Sequence, residues 1–102
     1  MKVVINKTYG GFSVTKEVFK ELNIKRNGYG FLHSKDFGID SKNSYQYRTD
    51  NRLIKAIQKI GEEASSGDHT ELRVISIPDD VEWDIEEYDG AEWVAEAHRC
   101  WS

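Results

Sequence analysis

The chain is poor in the residues that staple small proteins together. Its 102 residues include one cysteine, one proline and one methionine. A single thiol excludes an internal disulfide and any multi-cysteine metal cluster, and it suits a reducing, cytoplasmic setting. The three histidines, His33, His69 and His98, lie in separate segments. None has metal-ligand spacing to another or to Cys100, so neither a metal nor another cofactor is expected. No apolar run approaches the roughly 20 residues of a membrane span. The opening MKVVINKTYGG has one four-residue apolar stretch, short of a secretory core. The phosphate-loop spacing, the dinucleotide-binding glycine pattern and the serine-nucleophile elbow are also missing. Without an enzyme signature, a non-catalytic role is expected.

Charge is plentiful and unevenly divided. The formal net charge is −4. Residues 1–61 hold twelve Lys or Arg against five acids, whereas residues 62–102 hold Arg73 and Arg99 against thirteen acids. Either the halves neutralise one another, or one of them presents a field to a partner. Overall acidity argues against a duplex-DNA binder.

Periodicity outlines the elements. Lys2–Asn6 is a β-branched apolar run, expected as a buried strand. Val14, Val18, Phe19 and Leu22 form one face of a helix over 14–22, capped by Ser13 or Thr15. Residues 23–47, with Gly28, Gly30, Gly38 and scattered aromatics, suit a long loop with a short strand near Phe31 or Tyr45. Asp50 caps a helix over 51–64 with Leu53, Ile54, Ile57 and Ile60 inward and Arg52, Lys55 and Lys59 outward. Residues 71–77 alternate as a strand that Pro78 ends. Val81, Trp83 and Ile85 alternate with Glu82, Asp84 and Glu86, predicting a strand with one apolar and one acidic face. Asp89-Gly90 predicts a hairpin turn, returning along 92–99. A helix capped at Asp89 is the competing reading of that last segment. The sum is one α+β domain over residues 1–102, a small and mainly antiparallel sheet covered on one face by two amphipathic helices.

Two segments are candidates for chemistry. In Asn6–Ser13, a Gly pair lies between a strand and a helix start, where bare amides and the helix dipole favour an anion. Lys7, Gly10, Gly11 and Ser13 would cradle a phosphate, Tyr9 would stack on a base, and Arg48, Arg52, His98 and Arg99 would add charge. The plainer reading is a tight turn with its aromatics in the core. In Glu92–Trp101, alternation places Glu92, Val94, Glu96 and His98 on one face, read as a solvated acidic face. Trp83 and Trp93 are expected in the core. Trp101 is expected at a subunit contact of a homo-oligomer.

The opening VVINKTYGGFS (3–13) and the closing IPDDVEWDIEEYDGAEWVAEAHRCW (77–101) together resemble a family of small bacteriophage- and prophage-encoded proteins. The family often carries Cys in the place of Thr8. Residues 23–70 depart freely from it. The resemblance implies an accessory factor acting in the host cytoplasm on host machinery or defence, with no activity or site residue to carry over. Two functions follow as expectations. One is a binder that sequesters a small phosphorylated, nucleotide-like immune signal. The other is an acidic inhibitor directed at a host defence protein, such as a nuclease or CRISPR effector, resting on the negative balance of 62–102. A structural accessory acting through its tryptophans is a third.

Overall fold

The computed structural model describes residues 1–25, 30–39 and 45–96, and the backbone of 100–101. The strand β1 (Lys2–Asn6) pairs antiparallel with β2 (Leu72–Ser76) in the register Lys2↔Ser76 to Asn6↔Leu72. The strands β3 (Trp83–Tyr88), β4 (Ala91–Glu96) and β5 (Cys100–Trp101) form a second antiparallel sheet in that order. The helices are α1 (Lys16–Leu22), α2 (Asn51–Ile60) and the single turn α3 (Glu62–Ser65). The α+β class holds. The single sheet expected from the sequence is two, and this changes where the core lies.

The β1–β2 ribbon is the middle layer. Successive side chains of a strand point to opposite faces. Val4, Leu72 and Val74 therefore meet Val18, Phe19, Leu53, Ile54 and Ile57 of the helices. Val3, Ile5, Ile75 and Ile77 meet Ile85, Val94 and Trp83 of the second sheet. A ribbon buried on both faces has no need of polar alternation, which accounts for the continuous apolar run of β1.

Both helices are shorter than their periodicity. Val14 sits in an isolated bridge with Ser66 and gives its amide to Gly30, so α1 starts only after Thr15. Thr15 is the N-cap residue without a side-chain cap bond, and its hydroxyl donates to the Ala64 carbonyl instead. The helix expected over 51–64 breaks at Gly61, whose φ of 103° leaves helical space. Asp50 caps α2 as expected, accepting from the Arg52 amide at 2.9 Å. Leu53, Ile54, Ala56 and Ile57 are buried, while Arg52, Lys55 and Lys59 are exposed.

No strand forms at Phe31 or Tyr45. The described part of 23–47 contributes 3-10 turns at Ser34–Phe37 and, running past its end, Gln46–Thr49. Two of its aromatics are core: Phe37 stacks on Tyr47 at 5.8 Å, and Phe12 meets Tyr47 edge-on at 6.2 Å, whereas Phe31 is exposed. The Asp89-Gly90 turn is present, with positive φ at both residues (50° and 91°), as a two-residue hairpin of this sequence requires. Residues 91–96 return as a strand, as read from the sequence, and not as a helix.

Candidate interaction surface

The segment after β1 runs into the hairpin turn. The Gly10 amide donates to the Asp89 carbonyl at 3.1 Å. The side-chain amide of Asn6 donates to the Thr8 and Gly90 carbonyls at 2.8 and 2.9 Å, and its oxygen accepts from the Glu71 amide at 2.9 Å. The contact is tight: a Cβ added at Gly90 would lie 2.8 Å from the Gly10 nitrogen and closer still to that of Gly11. The Gly10 amide, expected in an outward anion cradle, is therefore taken up by the protein's own hairpin. Ser13 is likewise engaged. It is buried, and its hydroxyl shares a hydrogen bond of 2.8 Å with Thr70.

The arginines named as phosphate ligands also serve the fold. Arg48 is 2% exposed and forks onto the Glu92 carboxylate at 2.7 and 3.0 Å. It reaches the Val4 carbonyl at 3.3 Å, and Glu92 accepts from the Asn6 amide at 2.8 Å. The pair thus fills hydrogen-bonding positions on the free edge of β1 that another strand would take. The guanidinium carbon lies 3.6 Å from the Phe12 ring centre. Burial pulls the Arg48 pKa down, but the hydrogen bond to Glu92 leads the influences that leave it above its ordinary value. The neighbouring Tyr45 hydroxyl is pushed up, chiefly by burial and then by Glu87 and Glu92.

Arg52 bonds the Asp50 carboxylate at 2.9 and 3.0 Å and the Phe37 carbonyl at 2.7 Å. That hydrogen bond raises the Arg52 pKa and holds Asp50 below the usual carboxylate range. Lys7 is half-buried, and its backbone amide donates to Glu71 at 2.8 Å. Tyr9 is exposed. His98, Arg99 and the side chain of Trp101 lie outside the described residues. Of the expected phosphate ligands, Arg48, Arg52, Gly10 and Ser13 are thus spread over internal contacts.

The opposite edge of the ribbon is closed in the same manner. On β2, the Leu72 amide donates to the Ser66 hydroxyl at 2.9 Å and the Val74 amide to the Glu62 carboxylate at 2.7 Å. Beside this edge lies an open cleft of about 880 Å³, lined by Glu62, Glu63, Glu71, Thr70 and Arg73 among others. Three carboxylates against one guanidinium make it unsuited to a phosphate. Among the described residues no group of three or more His, Cys, Asp and Glu side chains is placed to hold a metal ion. No described helix is long and apolar enough to cross a membrane.

What remains outward is the hairpin. Asp79, Asp80, Glu82, Asp84, Glu86, Glu87 and Asp89 are all exposed. Asp79 pairs with the N-terminal amino group, which holds its carboxyl below the usual range. Among the described residues, none of the other six forms an ion pair. The acidic face predicted for Glu82, Asp84 and Glu86 is therefore present.

On β4 the expected polarity is inverted. Glu92 and Val94 face inward at 5% and 0% exposure, and Trp93 is half-buried with its indole N–H on Glu86 at 3.1 Å. The missed partner of Arg48 was thus Glu92, and its signal was the alternation that places it beside Val94. At the hairpin tip Tyr9 and Tyr88, 63% and 67% exposed, meet edge to face at 6.4 Å.

The fold and its surface define a small α+β domain with an acidic, aromatic-tipped hairpin. No known protein family, curated protein or solved structure matches the chain.

Proposed function

We propose that this chain is a non-catalytic protein-binding factor whose C-terminal hairpin docks on a cationic surface of a partner protein. The observation that carries the reading is the row of exposed carboxylates on and around β3, of which Asp80, Glu82, Asp84, Glu86, Glu87 and Asp89 form no ion pair among the described residues. A surface of one sign, held on a β-sheet, steers association with its opposite and selects against acidic competitors. The resemblance of residues 3–13 and 77–101 to phage-encoded proteins supplies the context. The partner we propose is a nucleic-acid-binding host protein, such as a defence nuclease, whose basic channel the hairpin occupies in the host cytoplasm. Sequestration of a phosphorylated ligand is the weaker alternative, because Arg48, Arg52, Gly10 and Ser13 are committed to the fold.

The test is the triple variant Glu82→Lys, Asp84→Lys, Glu86→Lys. Capture of a nucleic-acid-binding protein from bacterial lysate by wild type, release by roughly 0.5 M salt, and loss of capture in the triple variant are expected. Equal capture by both proteins, with folding retained, refutes the reading.

A further inference from the structure

We infer that the Tyr9–Tyr88 pair is the seat of an arginine side chain of the protein partner. The inference rests on the reading above and deepens it, because it places a specific anchor on a surface otherwise described only by charge.

Tyr9 and Tyr88 are two of the three large hydrophobic residues most exposed among those described. They come from distant parts of the sequence and are brought together at one corner, ring centres 6.4 Å apart and planes at 73°. The corner is held from beneath by the Gly10 amide on Asp89 and by Asn6 on Gly90. The rings therefore project from backbone that is tied down on both sides, which spares the ordering of that backbone when a partner arrives. Exposed aromatic rings on a rigid support are characteristic anchors of protein interfaces.

The charge around the rings decides which side chain fits. Asp84 and Glu86 precede Tyr88 at two-residue spacing, so all three share one face of β3. Glu86 stands opposite Trp93 in the strand register and is steadied by the indole N–H. A phosphate or a nucleotide brings negative charge to these carboxylates. An aliphatic side chain leaves them uncompensated. A lysine ammonium is a compact, strongly hydrated charge that satisfies the carboxylates and gains little from the rings. A guanidinium is flat and weakly hydrated, and it can lie on an aromatic face while its edge forks a carboxylate. The chain shows the same preference internally, where Arg48 lies on Phe12 and forks Glu92.

The experiment titrates the isotopically labelled full chain with an arginine octapeptide and a lysine octapeptide of equal charge at low salt, and in parallel with adenosine monophosphate. We expect amide shifts at Tyr9, Glu86 and Tyr88. We also expect the arginine peptide to bind about fivefold tighter, a preference lost in Tyr88→Ala and Tyr9→Ala and kept in Tyr88→Phe. Equal affinity for the two peptides, or a preference that survives both alanine variants, overturns the arginine seat and leaves the acidic docking surface standing. Failure of both peptides to bind the folded chain overturns both proposals. Shifts at Tyr9 and Tyr88 with adenosine monophosphate overturn the arginine seat in favour of base stacking.

Discussion

Arg48 is the most deeply buried charged residue among those described. A buried guanidinium is tolerable only with its counter-charge in fork geometry, and Glu92 supplies that together with an acceptor for the Asn6 amide. Arg48→Ala is expected to cost about 3–5 kcal/mol, because Glu92 is left buried and uncompensated. Urea unfolding read by tryptophan fluorescence measures it. Arg48→Lys is expected to recover only part of that loss, since one ammonium cannot fork both carboxylate oxygens. The sequence suggests Arg48 only as one of several cations that would neutralise a phosphate at the Gly10-Gly11 turn. Its burial depends on a partner 44 positions away, and no local pattern reports such a distance. Glu92 was legible in principle, because alternation placed it with Val94. The reading failed by taking an acid on that face as evidence of solvent.

At the scale of elements, what was readable was what depends on near neighbours. The strands β1 to β4, the Asp50 cap, the inward stripe of α2 and the Asp89-Gly90 turn all follow from spacing of a few residues. The division into two sheets did not, because it is a matter of which strands pair, and pairing is set by packing across the molecule. The middle segment failed for a related reason: Phe37 and Tyr47 are held by each other and by Phe12, not by a periodic surface. The hairpin is fixed to the loop after β1 through Gly90, where a methyl group would press on the amides of Gly10 and Gly11. Gly90 also has a φ of 91°. Gly90→Ala is therefore expected to destabilise by more than about 1 kcal/mol. It is also expected to raise hydrogen exchange at Gly10 and Asn6 before the helices open, which exchange monitored by NMR resolves.

For the whole molecule, carboxylates that the fold keeps ionised contribute to the acid limb of stability. Asp50, bonded by Arg52, and Asp79, bonded by the amino terminus, both lie below the usual carboxylate range. A depressed carboxyl contributes stability above its unfolded pKa, about 3.9, and that contribution disappears as the pH falls through the folded value. Thermal melting is expected to be flat from about pH 5 to 7 and to fall below about pH 4. Asp50→Asn should reduce part of the fall, because a neutral amide oxygen still caps α2 but does not titrate. Scanning calorimetry across that range checks both.

The stitching of β1 has a temporal consequence. Its partner strand is 65 or more residues downstream, and the carboxylate that accepts from Asn6 is 86 residues downstream. Helix α2, at ten residues, is too short to be stable alone, and its apolar stripe rests on Val18 and Phe19 of α1 as well as on the ribbon. The first strand therefore stays unpaired until the chain has been extended through β2, and its other edge is closed only when the hairpin that carries Glu92 follows.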